Sequence, residues 1–435
     1  MKSSIIGLSI NHQRHRGRVI APYLTQIGLR RMSSQKDDED DFCGFLEQKP
    51  GYSTAAVHVA QEPEKQGGAV VPPITMSSTF KFKSLTEPFN TYIYGRLGNP
   101  VRNTLEEVLA ALEGGKIGFT FASGMGAISA VSLLLGKGDH LITSEDVYGG
   151  TYTLFSEFTP KLGVEVSMVD VSEPGVLEKT LKKNTKMVYF ETPTNPSIKV
   201  IDIEETVKKV KKFDNKIMVV VDNTFLGSYL QRPLDFGADI VLYSLSKFMN
   251  GNSDVILGGV IVNDPAIGDR LRFIQRIVGI IPSPFDCYLV NRSLKTLAIR
   301  MERHKMTTLA IARWLECHPN IKEVMHPGLK SHKQRNIAKK QSTGHSGVFS
   351  FRHCGDVKVS EKLCTSLKIF TLAVSLGGHE SLVQIPSQMT HKLVPDDVKK
   401  RLGITDEVIR VSVGLEDCED LIEDLDQGLK IAFGK

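Results

Sequence analysis

Residues 203–222 read IEETVKKVKKFDNKIMVVVD. In the first half, apolar residues fall at Ile203, Val207, Val210 and Phe213 with lysines and glutamates between them, the spacing of one helix face. After Asp214-Asn215-Lys216 the run from Ile217 is apolar without alternation until it ends at Asp222, as expected of a strand covered on both faces. A helix with one polar face feeding a fully buried strand is half of a βαβ unit. The same grammar extends in both directions. Further strands are predicted at 118–122, 140–143, 164–170, 186–191, 240–243 and 255–262, with helical stretches between many of them. The expectation is an α/β fold with a doubly wound, mostly parallel sheet, whose ligand crevice lies at the carboxyl ends of the strands.

Outside that region the pattern changes. Residues 51–95 are rich in Gly, Pro, Ser and Thr and read as an extended arm, with one short helix near 53–61. Beyond Leu294 a long helical stretch, 294–317, is followed by Pro319, Pro327-Gly328 and short strands such as 348–351, which predicts a smaller α+β domain. The expected organisation is a tail at 1–50, an arm at 51–95, a large domain at 96–294 and a C-terminal domain at 295–435. The first 31 residues carry Lys2, Arg14, Arg16, Arg18, Arg30 and Arg31 and no acid. That composition resembles a mitochondrial presequence. The preferred reading is an ordinary extension ahead of Met32 and the polar stretch 33–41, which keeps the expected location cytoplasmic.

Bulk properties exclude some classes. A net charge of +5 on 435 residues is too dilute to argue for nucleic acid, and no apolar run reaches the roughly 18 residues that cross a bilayer. The six cysteines include no CxxC pair, so reduced thiols and no metal site are expected.

Three groups at predicted strand ends carry chemistry. Phe121-Ala122-Ser123-Gly124-Met125-Gly126-Ala127 ends a strand in a small-residue turn and starts an apolar helix; free amides there can cradle an anion, although structural turns of this composition are commoner. Asp222, followed by Asn223 and Thr224, ends the strand 217–222. A carboxylate there can cap a loop, or can hold a ligand's pyridine nitrogen protonated, which turns that ring into an electron sink. Tyr243-Ser244-Leu245-Ser246-Lys247-Phe248 places a lysine directly after a buried strand, behind two hydroxyls at alternate positions. Those hydroxyls can bind a phosphate while the amine forms an imine. One strand–helix–strand step separates Asp222 from Lys247, so both can reach one crevice.

With these residues in place, the chain resembles the Cys/Met-metabolism family of fold-type-I pyridoxal-phosphate enzymes, most of all its lyases that cleave cystathionine on the γ side. The resemblance runs from about Gly51 to the C-terminus. It includes Tyr94-Gly95-Arg96, Gly98-Asn99-Pro100, Ser123-Gly124-Met125, Asp146 to Thr151 (DVYGGT), Glu191 to Pro196 (ETPTNP), Val221 to Thr224, Ser244 to Lys247, Ser375 to Gly378 and Arg410 to Asp417 (RVSVGLED). It implies pyridoxal 5'-phosphate as cofactor, carried by Lys247, which also shuttles protons. It implies Asp222 at the pyridinium with Thr224 beside it, Tyr148 stacked on the ring, and Gly124, Met125, Ser244 and Ser246 around the phosphate. It implies that Tyr94 and Arg96 reach the phosphate of a neighbouring subunit in a homotetramer built from active dimers. Arg410, with Asn195 and Ser375, is implied to bind the α-carboxylate of a sulfur amino acid, a planar anion that suits a bidentate guanidinium.

Two positions depart from that pattern. Thr153 stands where the γ-lyases typically carry an arginine and Val374 where they usually carry a glutamate, both associated with the distal end of cystathionine. Val374 and the run 123–128 look more like the methionine γ-lyases, whereas residues 282–288 and the final domain look like the cystathionine enzymes. Gly150 lacks the cysteine typical of bacterial methionine γ-lyases. The expected activity is carbon–sulfur bond cleavage with cystathionine as substrate. The neutral pair Thr153 and Val374 adds relaxed selection that admits cysteine, homocysteine or methionine; β-elimination, methionine γ-lyase-like activity, an aminotransferase and a non-catalytic cofactor-binding subunit are the alternatives.

Overall fold

In the computed structural model, which describes residues 45–434, strands β1 (Ile117–Phe121), β2 (His140–Ser144), β3 (Glu165–Val169), β4 (Thr185–Glu191), β5 (Met218–Asp222), β6 (Ile240–Ser244) and β7 (Gly258–Val262) form one sheet in the order β1-β7-β6-β5-β4-β2-β3. The basic segment 1–31 lies outside the described residues. Strands β3, β2, β4, β5 and β6 pair in parallel. The central strands are buried along nearly their whole length, which explains their continuous apolar runs. The helix that opened the argument spans Ile203–Phe213; Asp202 caps it by accepting from Glu205 N, and Ile203, Val207 and Val210 are buried.

One strand runs against the others. β7 runs antiparallel to both β1 and β6. A parallel return needs a crossover of a dozen or more residues, usually helical. Residues 245–257 contain no helix, only a turn, so the chain comes straight back. Because β7 lies between β1 and β6, the carboxyl ends of those two strands share one edge with the amino end of β7. Gly258 sits at that edge, where an added Cβ would stand 2.2 Å from Ser123 O. Only glycine lets the turn after β1 pass over β7.

A second sheet is built from β8 (Ile321–Met325), β9 (Val348–His353), β10 (Thr371–Leu372), β11 (Leu382–Gln384) and β12 (Val408–Ser412), ordered β10-β11-β12-β9-β8 and antiparallel except for β10 with β11. Two helices, Pro284–Leu294 and Leu297–Glu316, meet across Lys295 and Thr296, and the second of them is the predicted stretch 294–317. Ser283 caps the first by accepting from Phe285 N, with Pro284 at its first position. The arm contains the helix Tyr52–His58. Among the described residues, no helix is long and apolar enough to cross a membrane, and no group of three or more His, Cys, Asp or Glu could hold a metal.

Candidate active site

The carboxyl ends of β1, β4, β5 and β6 open onto a cavity of ≈ 700 Å³ whose far wall comes from the second sheet. Gly124, Met125, Tyr148, Asn195, Asp222, Thr224, Ser244, Ser246, Lys247, Val374, Ser375 and Arg410 all line it. Twelve of the fifteen residues singled out from sequence are thus brought together.

At one end lies an anion cradle. Gly124 and Met125 start the helix Gly124–Ser132, where first-turn amides have no partner within the helix. Ser123 caps that helix by accepting from Gly126 N at 2.9 Å. A Cβ on Gly124 would come within 3.0 Å of Ser244 Oγ, so the glycine keeps open the space between amides and hydroxyl. Thr224 Oγ1 accepts from Ser244 N at 2.8 Å and ties β5 to β6 beneath it. The Ser246 hydroxyl is committed to Leu257, accepting from its N at 2.9 Å and donating to its O at 3.3 Å.

At the middle of the floor Asp222 accepts from Thr224 N at 3.0 Å and from Tyr189 OH at 3.1 Å. Burial raises its pKa, opposed by those donors. Tyr148 stands nearby at 42 % exposure. A Cβ on Gly150 would lie 2.6 Å from Tyr148 Cε1 and 3.0 Å from Met125 Sδ. A cysteine at 150 is therefore incompatible with this placement of the tyrosine ring.

Lys247 closes the cavity from below. Its Nζ donates to Ser375 Oγ at 2.7 Å. Burial, with help from the Arg410 charge, pushes its pKa down to about 8, which brings a neutral amine within reach of physiological pH. Arg410, on β12, donates through Nη1 to Asn195 Oδ1 at 3.0 Å and through Nη2 to Ser375 O at 2.5 Å. Gln384, its cross-strand partner on β11, accepts from Arg410 Nε at 3.1 Å with its amide oxygen turned inward. Burial lowers Arg410 to about 10, so it stays cationic. Ser375 pays for its double contact with a φ of +94°, an arrangement that costs a non-glycine residue about 1–3 kcal/mol and persists where the surroundings impose it.

Three expected residues lie elsewhere. Thr153 is off the cavity wall, its hydroxyl donating to Gly149 O at 3.1 Å. Tyr94 and Arg96 sit on the arm; Arg96 Nη1 donates to Arg276 O at 2.6 Å and its guanidinium lies 5.7 Å from the Tyr94 ring centroid. Sequence reasoning overlooked Gln384, Tyr189 and Glu191. Glu191 had a signal, an acid ending a buried strand inside a quoted motif. Gln384 and Tyr189 sit within strands and have none.

An anion cradle, a buried carboxylate on the same cavity floor and a desolvated lysine are the requirements of a ligand that joins a phosphate to a basic ring and a carbonyl. The fold and site thus define a doubly wound enzyme scaffold fitted to pyridoxal 5'-phosphate. The chain belongs to the Cys/Met metabolism PLP-dependent enzyme family, which matches it over residues 53–430. It is 49% identical to cystathionine γ-lyase of Bos taurus over 390 residues, 89% of this chain and 96% of that one. Among solved structures it is similar to cystathionine γ-lyase from yeast (40% identity, TM-score 0.85, 89% of this chain and 100% of that one). It is also similar to cystathionine γ-synthase from Xanthomonas oryzae pv. oryzae in complex with cystathionine (39% identity, TM-score 0.85, 88% and 98%).

Proposed function

We propose that this chain is a carbon–sulfur lyase that converts cystathionine and water to cysteine, 2-oxobutanoate and ammonia by γ-elimination. The observation that carries the reading is the shared contact at Ser375, which accepts from the Lys247 amine on its side chain and from the Arg410 guanidinium on its carbonyl. A proton shuttle and a carboxylate clamp joined through one residue suit an α-amino acid whose Cα proton must move. The family and the lyases similar to this chain support the same chemistry.

When bound, the cofactor supplies an electron sink for charge at the substrate Cα. Gly124 and Met125 amides and Ser244 would hold its phosphate, with Ser246 bracing the loop through Leu257; Asp222, steadied by Thr224 and Tyr189, would pair with its ring nitrogen, and Tyr148 would cover the ring. Arg410, held flat by Asn195 and Gln384, takes the α-carboxylate. Lys247, neutral near pH 8, removes the Cα proton and returns protons as the reaction proceeds. A further proton leaves Cβ before sulfur departs from Cγ, and Tyr148 is placed to protonate it. In β-elimination that further step is absent and the products are homocysteine, pyruvate and ammonia.

A second reading of the substrate rests on Val374, 56 % exposed on the cavity wall, and on Ile256, 70 % exposed on the lining of the same cavity. An apolar wall where cystathionine presents a second amino acid head widens selection toward methionine, homocysteine and cysteine. Separating the products formed from cystathionine tests both readings. Cysteine with 2-oxobutanoate supports γ-elimination; homocysteine with pyruvate replaces it with β-elimination; consumption of methionine but not cystathionine moves the substrate.

The assembly that fits this reading is a homotetramer of active dimers in the cytoplasm, with residues 96–294 as the cofactor domain and 295–435 as the C-terminal domain. Tyr94 and Arg96 then complete a neighbour's phosphate site. Support comes from the exposure of Tyr94 and of Val70, Leu85 and Phe89 on the same arm, since apolar groups grouped on one segment mark a contact surface.

A further inference from the structure

Glu191 ends β4 directly beside Asp222 at the end of β5, the two being register partners across the parallel pair. Both line the active-site cavity, and Glu191 is 6 % exposed. Its Oε1 accepts from Tyr148 N at 2.8 Å. Tyr148 is the residue before the helix Gly149–Thr153, and no side chain caps that helix, so this bond ties the turn carrying the ring to the end of β4. The ionisable groups that act on Glu191 are the Asp222 and Asp146 carboxyls, while the Thr151 hydroxyl and the Tyr148 amide face it as polar partners. Tyr189, whose hydroxyl is given to Asp222, is buried against the same pair.

We propose that Glu191 is a positioning residue for the cofactor: its bond to the Tyr148 amide fixes the tyrosine ring over the strand edge that carries Asp222. It does so as the protonated member of the carboxyl pair. Two adjacent buried acids cannot both ionise cheaply, and the one with more donors keeps the charge. The Thr224 amide, the Thr224 hydroxyl and the Tyr189 hydroxyl act on Asp222; on Glu191 the Tyr148 amide and the Thr151 hydroxyl do. Burial and the Asp222 charge drive Glu191 well above the usual carboxylate range. A neutral Glu191 leaves Asp222 as the negative charge facing a ring nitrogen, undiluted by a second anion that would compete for that proton.

The inference rests on the reading of Asp222 and Tyr148 as cofactor contacts, so Asp222→Asn and Tyr148→Ala are measured alongside. Glu191→Gln, neutral at every pH with its carbonyl acceptor intact, is expected to give the same pH midpoint of the bound cofactor's visible absorbance as the native chain. Glu191→Leu removes the acceptor; the dissociation constant of the cofactor from the apoenzyme is expected to rise about tenfold, the loss of one buried hydrogen bond of about 1–3 kcal/mol, with a weakened visible circular dichroism band. Glu191→Asp, one methylene shorter, should move both quantities in the same direction and serves if the leucine variant does not fold. A midpoint displaced by about one pH unit or more in Glu191→Gln overturns the neutral assignment. Unchanged affinity and dichroism in both Glu191→Leu and Glu191→Asp overturn the positioning role. If Asp222→Asn and Tyr148→Ala also leave both quantities unmoved, the cofactor reading itself fails.

Discussion

Lys247 and Arg410 come from different sheets and meet at Ser375, the first on its hydroxyl at 2.7 Å and the second on its carbonyl. Neither cation has a carboxylate among its hydrogen-bond partners there. Each is therefore ready for a substrate: the amine to accept a proton, the guanidinium to accept a carboxylate.

The lysine carries a pH prediction. Burial and Arg410 hold its pKa near about 8, below its ordinary value, so the neutral, nucleophilic amine is populated as pH rises through that range. Reconstitution of apoenzyme with pyridoxal phosphate, followed by its visible absorbance, should accelerate with pH and level off above a midpoint near about 8. A rate still climbing toward the ordinary lysine pKa of about 10.4 would show that the amine is not desolvated as described.

Arg410→Lys should keep the charge and lose the two-pronged geometry. One charge-assisted hydrogen bond is worth about 1.5–3 kcal/mol, so kcat/KM should fall about 10-fold to 100-fold, with most of the change in KM. Steady-state kinetics at saturating cofactor checks it. A loss confined to kcat would mean that the guanidinium acts on the transition state and not on the bound carboxylate.

Val374→Glu combined with Thr153→Arg should raise the ratio of kcat/KM for cystathionine over methionine by about tenfold or more, the worth of one or two new charged contacts. Because Thr153 bonds back to Gly149 and stands off the cavity, Thr153→Arg alone should do less than Val374→Glu alone. An unchanged ratio in the double variant would remove these positions from substrate selection.

Stability should respond to acid through His345. It is fully buried, and burial drops its pKa to about 3. The unfolded chain binds this proton below about 6.5 and the native one does not, so the native state loses stability as pH falls between those values. Raised carboxyl pKa values at Glu113 and Asp146 act in the opposite sense, so the comparison must be made against a variant. His345→Gln should gain about 2 kcal/mol relative to the native chain between about pH 7 and about pH 5, measured by urea unfolding at both. A constant difference would reject the assignment.

The parts of this site that were legible in the sequence were those fixed by strand ends. Asp222 and Lys247 follow directly on apolar runs, and a parallel sheet delivers such positions to one crevice. Gly124 was legible because a small-residue turn leads into a helix. Direction was not: the apolar run of β7 looks the same whether the chain arrives by a crossover or returns directly, and only its short connection separates the two. The helix Pro284–Leu294 was not read, although Ser283 followed by Pro284 is an ordinary helix-start signal. Gln384 was invisible because its role depends on pairing β11 with β12, a contact between distant segments. Thr153, by contrast, matches a motif position but turns its hydroxyl to its own helix.

The strand β7, threaded backwards between β1 and β6, also makes the cradle a joint product of distant segments. The Gly124 turn and the Ser244–Lys247 loop leave strands that are not neighbours, and they face each other only after β7 fills the gap with Gly258 passing beneath Ser123. During synthesis, a nascent chain that has not yet reached Gly258 owns both loops but no cradle. The cradle is therefore a property of the whole sheet and not of either loop alone.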